Sequence, residues 1–234
     1  MLVLPLLGNS SRFREVGINK PKYLLPIAGK SVLHWVIKSF RRITTKIVIL
    51  YRSDQVDPRE IEKVCEVFPE IHFEISGFDS VSRGQAESVY FATKKIPEES
   101  FLVFNGDSFF DSELSLVQAR LGSNFISHFS ADGNHWSFVK KDSKNRITMI
   151  KEKERISDLC SNGLYGFRSS NEYNRFFERI IIKEKIEKEI YVSQVLQEMI
   201  ESKIIFTGLP CSSKYVSCGT PAEIEESRKG FHAY

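Results

Sequence analysis

The sequence predicts an α/β fold around a mixed, mainly parallel sheet, and three patterns carry that prediction. Short apolar runs alternate with helical periodicity through the first half, two helix starts carry explicit capping signals, and from about Phe125 strand patterns outnumber helical ones. Leu2 to Leu7 is continuously apolar, as suits a strand covered on both faces. Val32 to Phe40 repeats apolar residues at helical spacing, and Lys46 to Tyr51 returns to strand character. Asp57-Pro58-Arg59-Glu60 joins an N-cap acid, a proline at the first helical position and a glutamate three residues on, opening a helix whose apolar positions run from Ile61 to Phe68. Ile71 to Ile75 and Phe101 to Phe104 are further strands.

In the second half, Phe125 to Phe129, His135 to Lys140, Arg146 to Lys151 and Leu164 to Arg168 read as strands joined by turns such as Asp132-Gly133-Asn134. Trp136, on the second of these strands, is expected in the core. Helices follow over Asn171 to Ile182 and Ile190 to Ile200, the latter with Val192, Val195, Leu196, Met199 and Ile200 on one apolar stripe. Thr220-Pro221-Ala222-Glu223 repeats the capping design. No repeat, low-complexity stretch or linker interrupts the chain, so residues 1–234 are expected to form a single domain with halves at 1–124 and 125–234.

Apolar residues make up 41% and charged residues 27% with a net charge of +3, which excludes a disordered chain. The lysines are scattered and Lys183 to Glu189 cancels itself, so no nucleic-acid partner is implied. Met1 to Leu7 is too short to span a bilayer and lacks the features of a signal peptide, so no membrane partner and a cytoplasmic location are expected. Cys65, Cys160, Cys211 and Cys218 form no C-x-x-C pair and read as reduced thiols.

Two segments carry candidate chemistry. Gly8-Asn9-Ser10-Ser11-Arg12-Phe13 follows a buried strand, where α/β sheets place ligands, and its small residues let backbone N–H groups approach phosphate oxygens. In Lys20-Pro21-Lys22-Tyr23-Leu24-Leu25-Pro26-Ile27-Ala28-Gly29-Lys30, prolines hold an extended segment and Lys22 sits between rigid neighbours, suited to a phosphoryl group. By themselves these are equally a plain turn and a solvated loop.

Taken together, Gly-x-x-Ser-Arg-Phe and Pro-Lys-Tyr-Leu-Leu-Pro-Ile-x-Gly-Lys resemble the signature of the sugar-1-phosphate nucleotidyltransferases, the nucleotide-sugar pyrophosphorylases. Gly84-Gln85-Ala86-Glu87-Ser88-Val89 resembles the family's base-side loop, Asn105-Gly106-Asp107 its metal-binding turn, and Glu152-Lys153 its sugar-side pair. Asn162 to Phe167 and Cys218 to Glu223 match later landmarks. Within the family the chain is similar to short bacterial capsule and lipopolysaccharide enzymes, a group with phosphocholine cytidylyltransferase-like members.

The resemblance implies a Rossmann-like three-layer α/β/α nucleotidyltransferase fold, with residues 1–124 binding nucleotide and 125–234 binding acceptor. It implies Mg²⁺ as cofactor, with a nucleoside triphosphate and a phosphorylated small-molecule acceptor as partners. Arg12 would hold the triphosphate, Lys22 would neutralise the α-phosphate and acceptor phosphate, and Asp107 would bind the metal. Gly8, Asn9, Ser10, Ser11, Gly84, Gln85 and Gly106 would line the nucleotide, while Ser137, Glu152, Lys153 and Asn162 would meet the acceptor. An amide at Gln85 favours a pyrimidine. Tyr165 is read either as a pocket residue or as a core aromatic. Homo-oligomerisation is left open.

Three residues depart from the family pattern. Ser10 stands where a second glycine is usual, Ser217 where many members carry a second metal-binding aspartate, and Ser137 where several sugar-specific members have glycine. Ser217 motivates an alternative reading, a catalytically impaired nucleotide-binding regulatory or partner subunit. A glycosyltransferase would call for Asp-x-Asp, which Asn105-Gly106-Asp107-Ser108-Phe109 does not supply.

Overall fold

Parallel pairing begins at β1 (Leu2–Leu6), which lies between β4 (Lys46–Arg52) and β6 (Phe101–Phe104); β5 (His72–Phe78) extends the sheet beyond β4. The structure is a computed structural model that describes residues 1–80, 82–111, 114–184 and 189–230. Between these strands lie α1 (Ser11–Arg14), β2 (Pro26–Ile27), β3 (Lys30–Ser31), α2 (Val32–Phe40), α3 (Pro58–Cys65) and α4 (Gln85–Thr93). Then come β7 (Ser108–Phe110), α5 (Ser115–Gln118), β8 (Phe125–Ser130), β9 (Ser137–Lys141), β10 (Ile147–Glu152) and β11 (Leu159–Phe167). The remainder is α6 (Ser170–Glu184), α7 (Val192–Glu201), β12 (Thr207–Pro210), β13 (Tyr215–Ser217) and α8 (Pro221–Gly230).

One nine-stranded sheet, ordered β10-β9-β11-β6-β1-β4-β5 with β8 and β12 off its path, draws strands from both halves. It is mixed and mostly parallel, turning antiparallel where β11 meets β6. Alternation along β1 explains the layers, because successive side chains leave opposite faces of a strand. Leu2, Leu4 and Leu6 pack with Val32, Val36 and Phe40 of α2, whereas Val3 packs with Val89 of α4 and Leu196 and Met199 of α7. The expected α/β/α arrangement follows. Among the described residues, no helix is long and apolar enough to cross a membrane.

The caps behave differently from one another. At α8 the reciprocal box is complete, Glu223 N donating to Thr220 Oγ1 at 3.2 Å and Thr220 N to Glu223 Oε2 at 2.9 Å. At α3, Asp57 Oδ1 accepts from Arg59 N at 2.9 Å, but the Glu60 carboxylate turns to Lys20 Nζ at 2.7 Å. An ammonium across the chain outcompetes the local backbone N–H.

Three expectations are revised. β11 starts at Leu159, five residues before the expected Leu164, because a register shift between Ser161 and Tyr165 lets one strand pair with β8 and β6 around a bulge. Trp136 is half-buried rather than core: β9 starts at Ser137, two residues after the expected His135, and the indole N–H donates to Asp132 O at 3.0 Å beside an open cleft. The helix expected from Ile190 starts at Val192, because Ile190 is engaged by backbone bonds elsewhere.

Candidate active site

A cavity of about 740 Å³ opens where β1 and β6 end, and it is lined by the turns that follow them together with β9, β10 and the segment before α7. All the expected site residues line it: Gly8 to Arg12, Lys22, Gly84, Gln85, Gly106 and Asp107 from the first half, and Ser137, Glu152, Lys153 and Asn162 from the second. Ligand crevices at the carboxyl ends of parallel strands are the rule for such sheets.

On the first-half side the cleft is shaped mainly by backbone. Ser10 has φ 49° and ψ 37°, the left-handed region that glycine adopts without steric cost. Its carbonyl accepts from Phe13 N at 2.9 Å and starts α1, which the buried Phe13 anchors, leaving Arg12 exposed at the mouth. No described residue is ion-paired with Arg12. Ser10 Oγ also lies 3.4 Å from Lys22 N, a long contact joining the two phosphate-side segments. Gly106, at φ 72°, turns so tightly that a Cβ would sit 2.3 Å from Leu6 Cδ2.

That turn delivers Asp107 to Lys22, whose Nζ lies 2.7 Å from Asp107 Oδ2 with both side chains about a quarter exposed (27% and 22%). Ser217 is paired with Ser108 across β13 and β7, and Cys218 N donates to Asp107 O at 2.9 Å, so Ser217 lies next to the Asp107 turn and lines the same cleft. Glu223, read from the sequence as a cap at the end of a family landmark and given no role in the site, also lines the cleft. Its Oε2 and Asp107 Oδ2 each lie 3.4 Å from the point where a Cβ would stand on Gly219.

Two amides on the first-half side are already engaged. Asn9 Oδ1 accepts from Arg52 Nη1 at 2.8 Å, and Arg52 in turn makes paired bonds of 2.7 and 2.6 Å to Asp54. Gln85 Nε2 donates to Asn105 Oδ1 at 2.6 Å. Arg52 escaped sequence reasoning, and Asn105 entered it only as part of the Asn105-Gly106-Asp107 turn, because both act through other residues.

The second-half side is a side-chain network. Glu152 Oε2 accepts from Ser137 Oγ at 2.5 Å and Ser193 Oγ at 2.9 Å, so Ser137 orients a carboxylate as well as narrowing the pocket. Asn162 Nδ2 donates to Ser127 Oγ at 3.0 Å, its Oδ1 accepts from Leu164 N at 3.2 Å, and its amide also bonds to the Cys211 thiol, bracing the bulge from three directions. Tyr165 answers to both of its readings: it packs in the core and lines the cleft, and burial pushes its phenol up to about 12 while Ser161 and Ser137 bond to it. Lys153 Nζ donates to Tyr191 Oη at 2.7 Å, and that bond holds the ammonium above the ordinary lysine range. Ser193 and Tyr191 were missed because sequence reading assigned their segment to helix packing.

Hard oxygen donors at a partly exposed position suit Mg²⁺, which takes one or two carboxylates and completes its shell with phosphate and water. Asp107 fits that description, and Lys22 marks the carboxylate as accessible to a cation. Among the described residues no cluster of three metal-ligating side chains is present, so the protein would supply only part of the shell.

Residues 8–160, well over half of the chain, match the MobA-like NTP transferase domain. The chain belongs to that family. A protein of Methanocaldococcus jannaschii named Bifunctional protein GlmU is 25% identical over 227 residues, covering 95% of this chain and 52% of that one. The chain thus spans about half the length of the curated relatives it matches. The crystal structure of a nucleoside-diphosphate-sugar pyrophosphorylase from Vibrio cholerae RC9 has a TM-score of 0.85 and 25% identity, covering 98% of this chain and 100% of that one. The inositol-1-phosphate CTP transferase from T. maritima shares the fold at a TM-score of 0.77 and 17% identity, covering 99% and 97%. The fold of this MobA-like NTP transferase is therefore the Rossmann-like nucleotidyltransferase fold.

Proposed function

We propose that the chain is one nucleotidyltransferase unit that joins the NMP part of a nucleoside triphosphate, preferably a pyrimidine, to a sugar-1-phosphate or similar phosphorylated small molecule. A phosphate oxygen of the acceptor attacks the α-phosphorus, the bond from the α-phosphorus to the bridging oxygen breaks, and pyrophosphate leaves. Such reactions need alignment and charge neutralisation more than covalent help. The observation that carries this reading is the Lys22–Asp107 pair, a cation and a hard-oxygen ligand 2.7 Å apart in one cleft, between the backbone turns and the Glu152 network.

Lys22 turns toward the phosphates and Arg12 binds the departing pyrophosphate. Gly8 and Gly84 admit the nucleotide, and Glu152 orients acceptor hydroxyls through the oxygen not held by Ser137 and Ser193. Asp107 would hold Mg²⁺, which when bound offsets phosphate charge. The pyrimidine preference rests on Gln85, and the inositol-1-phosphate CTP transferase is a relative whose name carries such a base. Surface-polysaccharide synthesis in the cytoplasm is the setting we propose.

Pyrophosphate release is the test, measured with CTP, UTP, dTTP, ATP and GTP against a panel of phosphorylated acceptors, with and without MgCl₂. Release with a pyrimidine triphosphate that requires both acceptor and Mg²⁺ is expected. Triphosphate binding with no release from any pair would favour the impaired-subunit reading, for which Ser217 beside Asp107 is the specific observation.

A further inference from the structure

The segment Glu189 to Tyr191 runs between the two sides of the cleft and is fixed to both. Ile190 N donates to Arg83 O at 2.6 Å and Ile190 O accepts from Ala86 N at 3.1 Å, which fastens it to the base-side loop. Gly84, at φ 103°, allows this closeness, since a Cβ there would lie 2.5 Å from Ile190 O. At the other end Tyr191 N donates to Gln194 Oε1 at 2.8 Å.

The Tyr191 hydroxyl has one proton, and the geometry assigns it. The hydroxyl donates to Glu189 Oε2 at 2.6 Å and accepts from Lys153 Nζ at 2.7 Å, while the Tyr191 ring centroid lies 4.6 Å from the same nitrogen. Lys153 is also held at its backbone, with φ 56° and its N–H donating to Trp136 O at 2.9 Å. A non-glycine residue in that region costs of order 1 kcal/mol or more and persists where its surroundings over-determine it. An exposed lysine pair returns little stability, so folding alone does not account for so much restraint on one ammonium.

We propose, building on the transferase reading above, that Tyr191 is the positioning residue for the acceptor phosphate: it aims the Lys153 ammonium into the acceptor end of the cleft, on a segment anchored to the nucleotide-side loop. A lysine fixed beforehand loses less side-chain freedom when it meets a phosphate than one on a free four-carbon stem.

The test follows the side-chain methylene resonances of Lys153 by NMR in the full chain, labelled with ¹³C-lysine, against pH and against inorganic phosphate. Tyr191, Glu152 and Glu189 all act on this ammonium and hold it above the ordinary lysine value. Tyr191→Phe is expected to bring that titration down towards the ordinary value and to weaken phosphate binding at Lys153 by roughly three- to tenfold. In a Lys153→Met background, with phosphate followed by equilibrium dialysis, Tyr191→Phe should add nothing. Unchanged titration, unchanged phosphate affinity in Tyr191→Phe, or additive losses in the double variant would each overturn the role of Tyr191. Phosphate that leaves the Lys153 resonances of the wild-type chain unmoved would instead overturn the acceptor-side reading on which the proposal stands.

Discussion

The two sides of the cleft are built by different means. Residues 8 to 12, Gly84 and Gly106 shape the first side through backbone turns, whereas the second side is held by side-chain bonds, Ser137 and Ser193 to Glu152 and Lys153 to Tyr191. A backbone-built wall depends on a few permissive conformations and tolerates changes of neighbouring side chains. A side-chain network depends on every member, because removing one hydrogen-bond partner leaves another exposed to rearrangement. On the function proposed above, the first side takes the triphosphate and the second the acceptor.

Asp107 stands where the two sides meet, so its loss should have the largest effect. Asp107→Asn keeps the turn and removes the charge, and Mg²⁺-dependent pyrophosphate release is expected to fall by about 10³-fold. Because its pair with Lys22 is partly exposed and worth about 1 kcal/mol or less, Tm should stay within about 4 °C of wild type. Near-normal release from this variant would show that the cleft is not organised around that carboxylate.

Next in size are Glu152→Ala and Ser193→Ala. Both should raise the acceptor KM, by about tenfold for the carboxylate and less for the hydroxyl, while the triphosphate KM stays within about twofold. A two-substrate kinetic series separates the parameters, and an equal rise in both would break the division into sides.

A smaller effect is expected on the backbone-built wall, with the opposite sign. Ser10→Gly relieves the left-handed conformation at φ 49° and should stabilise the fold by about 1 kcal/mol, less the entropy glycine adds to the unfolded chain, read as a rise of a few degrees at most in Tm. A fall in Tm would mean that the Ser10 Oγ contact to Lys22 N outweighs the strain.

The smallest effect concerns acid. Burial holds both His34 of α2 and His128 of β8 below the ordinary imidazole value, with Lys30 and Lys38 adding to it for His34 and Lys141 for His128. His128 is 4% exposed, and its Nε2 meets no hydrogen-bond partner among the described residues, so the second half carries the more restricted ring. The unfolded chain takes up these protons near pH 6.5 and the folded chain only at lower pH, so stability present at neutral pH is lost as pH falls below about 6.5. Thermal melts across that window should show a smaller decline for His128→Gln than for wild type, and identical slopes would remove His128 from the acid response.

The sequence by itself determined the repeating elements and the turns. The runs at Leu2, Lys46 and Phe101 became strands and Val32 to Phe40 became a helix with those same ends, because burial pattern and capping act within a few residues. It also drew together, as candidates, residues that all line one cleft: in the first half several sit in the turns after β1 and β6, and in the second half they sit within or at the ends of β9, β10 and β11. Only the tertiary structure decided which side chains meet. Lys22 finds Asp107 across 85 residues and Lys153 finds Tyr191 across 38, and neither separation is encoded by any local period. Trp136 left the core, and Ile190 left its helix, for the same physical reason: sheet order and backbone anchoring set by distant segments outweigh a preference of local origin.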